Sequence, residues 1–357
     1  MQLGLIILAG GRSSRMGSDK ALLKWGQKTL IEYTVDKAIK YGFKDIIIVT
    51  NKPEKFHHLT ATVISDVYPQ LGPLSGLQAG LSYGKKEYYF VMSCDMPLFD
   101  FSLVKKLSKF INNSEYLAIV PSVKNNLEPL AAIYNRQCAR IIEEMLLNSN
   151  ERRVNKLLEQ ILTKIVNCEC DKEKFFNTNT PSELAIARAK AVNQRRRIPI
   201  VSIAAAKSGT GKTTLISRII PKLKERCLKV AVVKSDGHDF SIDHAGKDTW
   251  QFSQAGADAV AIVSPKQYAI IQKTEEKCAL IEVANKLENV DLILIESRAH
   301  GIFPIIEVVR KEFYEDLITD NKDLVAVITD EENFSTTKTV LQIDDLNRIV
   351  EFILKLL

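Results

Sequence analysis

The chain has 357 residues, more than one hydrophobic core usually fills, so two domains are expected. Hydrophobic residues make up 46% and charged residues 26%, which argues against fibrous, coiled-coil and wholly disordered classes. The formal charge of +6, from 49 Lys and Arg against 43 Asp and Glu, suits small anionic ligands and is too small to indicate DNA or RNA.

The opening residues are apolar, but the run is short, carries no leading positive charge and passes straight into glycines. It reads as a buried strand over 3–8, not a signal peptide or membrane span, and no later run is long enough to cross a bilayer. Six scattered cysteines (Cys94, Cys138, Cys168, Cys170, Cys227 and Cys278) read as reduced thiols in a cytoplasm. Cys168 and Cys170 form a C-x-C pair with no second Cys or His cluster beside it, which favours plain thiols over a metal site.

Strand 3–8 leads into Ala9-Gly10-Gly11-Arg12-Ser13-Ser14-Arg15-Met16-Gly17-Ser18-Asp19-Lys20. Paired glycines directly after a buried strand let backbone amides approach an anion, and Arg12, Arg15 and Lys20 add positive charge beside them. A helix is predicted over 29–41 and strands over 45–50 and 62–65. The segment from Ser65 and Asp66 through Gly72-Pro73 to Gly76 then offers a tight path into a helix at 76–83, suited to a base or ribose. Strand 88–93 ends at Cys94-Asp95-Met96-Pro97. A carboxylate there, opposite a phosphate loop, suits Mg²⁺; the alternative is an Asp capping the next turn.

Strands at 117–120 and 129–134 and helices at 102–112 and 138–147 continue the alternation, which implies parallel strands in a doubly wound α/β sheet. A last helix opens at Thr180-Pro181-Ser182-Glu183 and runs to about residue 192.

Leu8–Lys20 as L-A-G-G-x-S-x-R-M-G-x-D-K, G-P-L-x-G at 72–76 and C-D-M-P at 94–97 resemble the molybdenum cofactor guanylyltransferase family. Glu128-Pro129-Leu130 and Asn177-Thr178-Asn179-Thr180-Pro181 fit the same pattern, over roughly the first 190 residues. The resemblance implies a Rossmann-like nucleotidyltransferase sheet that transfers GMP from GTP to the phosphate of molybdopterin and releases pyrophosphate. It implies that Leu8, Ala9, Gly10 and Gly11 hold the nucleotide by backbone contacts and Lys20 its phosphates. Asn51, Asp66 and Gly76 would border the base or ribose, and Asp95 would ligate Mg²⁺. Arg15, Lys20 and Asp95 are the implied catalytic set, acting by alignment and charge neutralisation and not by a strong base.

Asn193-Gln194-Arg195-Arg196-Arg197-Ile198-Pro199 reads as a solvated joint, with an anion contact as the alternative, so the domains are expected at 1–193 and 198–357. A new strand at 200–205 runs into Ala206-Lys207-Ser208-Gly209-Thr210-Gly211-Lys212-Thr213-Thr214 and an amphipathic helix, a Walker A loop in its proper context. Amides of Ser208, Gly209, Thr210, Gly211 and Lys212 would cradle phosphate, Lys212 would reach the β and γ oxygens, and Thr213 would ligate Mg²⁺ beside Thr214. Ala206 replaces the first glycine of the motif, which is harmless if its φ is negative. Strands are predicted at 229–234, 259–263, 292–296 and 324–329, with a closing helix at 343–357. Glu296 ends its strand at the Walker B position, as a water-orienting group or Mg²⁺ ligand. His238 reads equally as a metal or catalytic group and as a turn histidine; His57-His58 reads as a surface pair.

Gly237-His238-Asp239-Phe240, Gly246-Lys247-Asp248-Thr249 and Ala255-Gly256-Ala257 resemble the molybdopterin-guanine dinucleotide accessory GTP-binding family, a P-loop NTPase fold. Ser297-Arg298-Ala299-His300 departs from that family's pattern after Glu296. The combined expectation is a guanylyltransferase with a fused GTP-binding helper of weak GTPase activity, serving molybdenum-insertion proteins and acceptor molybdoenzymes. The alternatives are a cytidylyltransferase, another nucleotidyltransferase, or a P-loop regulatory switch.

Overall fold

The structure is a computed structural model that describes residues 3–10, 19–68, 71–111, 115–148, 152–168, 173–235, 242–276, 278–298, 301–313, 316–320 and 322–357. Its contacts divide the chain into two compact units, Met1–Arg188 and Ala189–Leu357.

The first unit contains, in chain order, β1 (Gly4–Leu8), β2 (Lys24–Trp25), β3 (Lys28–Thr29), α1 (Leu30–Tyr41), β4 (Ile46–Thr50), β5 (Thr62–Ser65), α2 (Pro73–Tyr83) and β6 (Tyr88–Ser93). Then come α3 (Ser102–Ser108), β7 (Ala118–Val123), β8 (Asn126–Leu127), β9 (Ala131–Asn135), α4 (Cys138–Asn148), α5 (Val154–Gln160) and β10 (Thr163–Asn167). Helix α6 (Pro181–Asn193) carries the chain past the unit boundary. The main sheet runs β10-β7-β9-β6-β1-β4-β5, with β8 paired to β7.

Most of these strands are parallel, as expected, but β9 is antiparallel to both β6 and β7. The reason is local. Lys124 and Asn125 take positive φ of 50° and 63°, forming a tight reversal after β7. The stretch between β7 and β9 is also too short for the crossover that a parallel return requires. Helix α5 and strand β10 were not expected; β10 is a sheet edge whose TKIVN sequence is mostly half-exposed or exposed.

Alternate residues of the central strands build the two layers of core. Leu5 and Ile7 share one face with Phe90 and Met92, while Ile6 and Leu8 share the other with Tyr89 and Val91. Helix α1 is started by a capping box in which Thr29 accepts from the Glu32 amide and Glu32 accepts from the Thr29 amide. Helix α2 begins three residues earlier than expected because Gly72 caps it at φ 83° and Pro73 occupies its first turn.

The second unit contains β11 (Ile200–Ala204), α7 (Lys212–Glu225), β12 (Val230–Lys234), α8 (Asp248–Gln254), β13 (Ala259–Val263), β14 (Tyr268–Gln272) and α9 (Leu280–Asn285). It continues with β15 (Leu292–Ser297), β16 (Ile305–Val309), β17 (Leu324–Thr329), β18 (Thr339–Gln342) and α10 (Leu346–Leu354). Its main sheet, β12-β15-β11-β16-β17-β18, is parallel throughout. The apolar run at Ala259–Val263 lies outside that sheet; it pairs antiparallel with β14 in a separate hairpin with mostly exposed side chains. Strand β16 escaped notice because Glu307 interrupts its apolar run. That carboxylate is 1% exposed and accepts from the amides of Ile318 (3.0 Å) and Thr319 (2.9 Å).

The stretch read as a solvated joint is partly built into this second unit. Asn193 is buried, accepts from the Ile200 amide at 3.1 Å and from Arg196 at 3.0 Å, and donates to the Leu356 carbonyl at 2.8 Å. Burial lowers the pKa of the Arg196 guanidinium. Among the described residues no helix is long and apolar enough to cross a membrane.

One close approach tests the first core. Gly4 pairs with Tyr89 across β1 and β6, and the Tyr89 ring lies over Gly4, so a Cβ there would sit 2.1 Å from Cε1. The ring is fully buried and fixed by its hydroxyl, which donates to Asp45 at 2.7 Å and accepts from the Lys85 amide at 2.8 Å. Gly4→Ala is expected to destabilise by about 1–3 kcal/mol, read as a lower urea midpoint at unchanged slope. An unchanged midpoint would mean that the ring moves freely.

Candidate functional site

In the first unit the chain leaves β1 for β4 on one side and later returns to β6 on the other, which opens a crevice at the strands' carboxyl ends. A cleft of about 540 Å³ lies there, within the range of small-molecule sites. Leu8, Gly10, Asn51, Asp66 and Gly76, all predicted, line it together with Thr50, Ser93 and Leu130, which were not. Ala9 is packed in the core instead, its amide donating to the Val49 carbonyl at 2.8 Å. A Cβ on Gly10 would make only ordinary contacts, 3.7 Å to Asn51 and 3.9 Å to Thr50, so protein packing does not dictate glycine there. A Cβ on Gly76 would press on Leu8 at 3.2 Å, so that glycine lets α2 settle on the sheet.

Three distant segments meet at Asp95. Lys20 Nζ lies 3.0 Å from Asp95 Oδ2 and also donates to Asn179 Oδ1. The main-chain carbonyl of Asp95 accepts from the Thr178 amide at 2.9 Å and hydroxyl at 3.1 Å. Asp19 holds the turn that presents Lys20, accepting from the Ala21 amide at 3.2 Å. Asn179 is steadied by Glu183, which accepts from its amide at 2.8 Å. Asp95 is only 7% exposed, and its buried Oδ1 has no hydrogen-bond partner among the described residues. An acceptor in that state carries a desolvation cost that an arriving donor or cation would relieve.

The loop that supplies Asp66 is tied from two sides. Asp66 Oδ1 accepts from Ser75 Oγ and from the Tyr68 amide at 3.1 Å, and Ser75 Oγ also lies 2.7 Å from the Tyr68 carbonyl. Tyr68 in turn donates its hydroxyl to Glu143 Oε1 on α4 at 3.0 Å. That hydrogen bond to a carboxylate, with desolvation and the like charge adding to it, raises the Tyr68 phenol above its ordinary pKa.

In the second unit, β11 delivers the chain into the glycine-rich loop and α7. Gly209 and Gly211 take positive φ of 85° and 88°, whereas Ala206 is not among the positive-φ residues, the condition under which alanine is tolerated. A cleft of about 290 Å³ is lined by Ser208, Gly209, Gly211, Lys212, Thr213 and Thr214, with Glu296 opposite; Thr210 is buried just behind. Lys212 Nζ donates to the Lys207 carbonyl at 3.0 Å, and Thr213 Oγ1 donates to Glu296 Oε1 at 2.8 Å. Burial lowers the Lys212 ammonium below its ordinary pKa, opposed by Glu296 and reinforced by Arg298 and Lys234.

Gly11, Arg12, Arg15, Cys170 and His238 lie outside the described residues. His58 has an acidic neighbour that its sequence position did not reveal, Glu32 at 3.2 Å, in an exposed pair. Lys234, Ser235 and Arg298 line the second cleft without having been singled out as site residues; a cation at a strand's carboxyl end was the available signal for Lys234.

Residues 5–166 match the family described as MobA-like NTP transferase domain, and residues 200–330 match molybdopterin guanine dinucleotide synthesis protein B. The chain is 35% identical over 187 residues to the probable molybdenum cofactor guanylyltransferase of Clostridium perfringens (strain SM101 / Type A), covering 50% of this chain and 91% of that protein. Its counterpart from Pelotomaculum thermopropionicum is 36% identical over 198 residues, 53% of this chain and 94% of the relative. Among solved structures, molybdopterin-guanine dinucleotide biosynthesis protein A from Archaeoglobus fulgidus is similar over 53% of this chain and 99% of its own, at 24% identity and TM-score 0.47. Bacillus subtilis MobB is similar over 45% of this chain and 98% of its own, at 28% identity and TM-score 0.38.

The anchor on Asp66's loop is directly measurable. Glu143→Gln removes the negative charge that disfavours the Tyr68 phenolate, so the Tyr68 pKa is expected to fall towards the ordinary tyrosine value. Ultraviolet titration of Glu143→Gln, with Tyr68→Phe identifying the transition, checks this; an unmoved transition would show that the contact does not persist in solution.

Proposed function

Because the chain belongs, over its first half, to the molybdenum cofactor guanylyltransferase family, we propose that it transfers GMP from GTP to the terminal phosphate of molybdopterin and releases pyrophosphate. An acceptor phosphate oxygen forms a bond to the α-phosphorus of GTP. The bond from that phosphorus to the bridging oxygen breaks, and pyrophosphate leaves with the electron pair. The attacking oxygen is already anionic, so the protein's work is alignment and neutralisation.

The observation that carries this reading is Asp95 Oδ1, a buried acceptor with no donor among the described residues, on a carboxylate whose other oxygen is held by Lys20. Mg²⁺ fits that oxygen: it binds through one or two carboxylates plus substrate phosphates and waters, and does not need a full protein cage. Among the described residues no cluster of three or more His, Cys, Asp or Glu would supply such a cage. When bound, the ion neutralises charge on the transferring phosphates. Lys20 adds a point charge to the same phosphates and, paired with Asp95 and Asn179, starts close to where they must lie. Arg15 is assigned the same role on the resemblance of its motif. Gly10 admits the nucleotide close to the backbone, Asn51 and Asp66 meet the base or ribose, and the Ser75 and Tyr68 contacts hold Asp66 in place.

The second unit reads as a GTP-binding helper. The phosphates would rest on amides of residues 208–212, with Lys212 over them and Thr213 and Glu296 on the metal side. We divide the roles at 1–193 and 198–357. Tethering raises the local concentration of whatever the second domain delivers. Among the described residues Cys94, Cys138, Cys227 and Cys278 are free thiols, and we assign the chain a reducing cytoplasmic setting. Molybdenum-insertion proteins and acceptor molybdoenzymes are the partners this activity calls for.

The test is pyrophosphate release with molybdopterin, Mg²⁺ and either GTP or CTP. Asp95→Asn keeps the shape of the side chain and removes its charge, and kcat with GTP is expected to fall by about 10²-fold or more. Turnover unchanged by that substitution would refute the metal role, and faster turnover with CTP would reassign the base. Chelation of divalent metal should abolish release in the unsubstituted chain.

A further inference from the structure

The second cleft holds more positive charge than a phosphate loop needs. Among the described residues, Lys212, Lys234 and Arg298 line it against one carboxylate, Glu296. Lys212 belongs to the loop itself. Lys234 and Arg298 come from elsewhere: Lys234 ends β12, and Arg298 follows the last residue of β15. The two strands are neighbours and register Lys234 opposite Glu296, while the Ser235 amide donates to the Glu296 carbonyl at 2.9 Å. Both cations therefore stand on the flank of the P-loop strand that carries Glu296.

That flank has a chemical meaning. Loop amides and the first turn of α7 take the α- and β-phosphates, so the third phosphate of a triphosphate extends towards the acidic strand end. The strand end that leads into Arg298 is also pinned. Ser297 is 3% exposed and its hydroxyl shares a 3.1 Å hydrogen bond with Ser202 on β11. Gly301 packs on the same two hydroxyls so closely that a Cβ would lie 2.2 Å from Ser202 Oγ and 2.5 Å from Ser297 Oγ. Ser297, the residue before Arg298, is thereby fixed next to the cleft that Arg298 lines.

We propose that Lys234 and Arg298 form a receptor for the terminal phosphate of a nucleoside triphosphate, which makes the second site select triphosphate over diphosphate. The inference rests on the nucleotide-binding reading of that cleft. Arg298 presents a planar fork that pairs two phosphate oxygens, and Lys234 supplies a point charge. A diphosphate places no oxygen there and leaves the two cations facing each other across water.

Equilibrium titration of the full chain with a non-hydrolysable GTP analogue and with GDP, in Mg²⁺, tests this. The Lys212→Ala chain keeps the first unit's site and isolates the second site's share of binding. Arg298→Ala is expected to weaken the triphosphate analogue about tenfold to a hundredfold while changing GDP by less than about twofold. Arg298→Lys should recover part of the difference, and retained GDP binding shows that the variant is folded. Gly301→Ala, whose Cβ would press on Ser202 and Ser297 without touching the charge, should reproduce the selective loss. Equal weakening of both nucleotides, or no change in either, overturns the receptor. Identical binding by unsubstituted and Lys212→Ala chains overturns the nucleotide reading itself, and the receptor with it.

Discussion

Lys20 and Asp95 meet 3.0 Å apart where both side chains are largely shielded from water, at 23% and 10% exposure. The segments that carry them, and the Thr178-Asn179 stretch that completes the contact, are separated by 75 and 159 positions along the chain. A shielded pair of this kind gains little if a partner is missing, because the remaining charge is then stranded. The contact therefore constrains the first unit as a whole: β1, β6 and the approach to α6 must all arrive for it to close. Asp95 is held through its backbone as well, by Thr178, so its carboxylate is aimed before any ligand is present. Such prior aiming is what a reaction driven by alignment and charge neutralisation requires.

Much of this was legible because the chemistry sits where chain direction changes. A buried strand followed by glycines, or ended by an acid and a proline, carries a signal that survives without tertiary context. Leu8, Gly10, Lys20 and Asp95 are of that kind, as are Gly209, Gly211 and Lys212. The Asp66 turn was half legible: its bond to the Tyr68 amide spans two residues, whereas the anchor from Tyr68 to Glu143 spans 75. Asn179 was visible as part of a family pattern, yet its contact with Lys20 has no local signature.

The topological misreadings have a common cause. An apolar run reveals that a strand wants neighbours but not which ones. The strand expected at 129–134 fits a parallel alternation in sequence, whereas the Lys124-Asn125 reversal forces Ala131–Asn135 antiparallel. Ala259–Val263 has the composition of a buried strand and lies instead in a two-stranded ribbon. Glu307 hid β16 by the opposite route, since a buried carboxylate satisfied by two backbone amides looks in sequence like a strand facing solvent.

The two sites are incomplete in opposite electrical senses. In the first unit a buried carboxylate oxygen has no donor among the described residues, while Lys20 holds the other oxygen. In the second unit, among the described lining residues, three cations face one carboxylate, and that carboxylate is engaged by Thr213. On the proposed reading, a nucleotide with its metal would satisfy both by different parts: the metal would answer Asp95, and the phosphate tail Lys212, Lys234 and Arg298. A site that must part with pyrophosphate gains from holding its phosphates through one lysine and an exchangeable ion. A site whose task is to recognise a triphosphate gains from fixed cations at the tail's far end. On the proposed roles, the charge arrangement in each unit follows from what becomes of the β- and γ-phosphates there, released from one and read by the other.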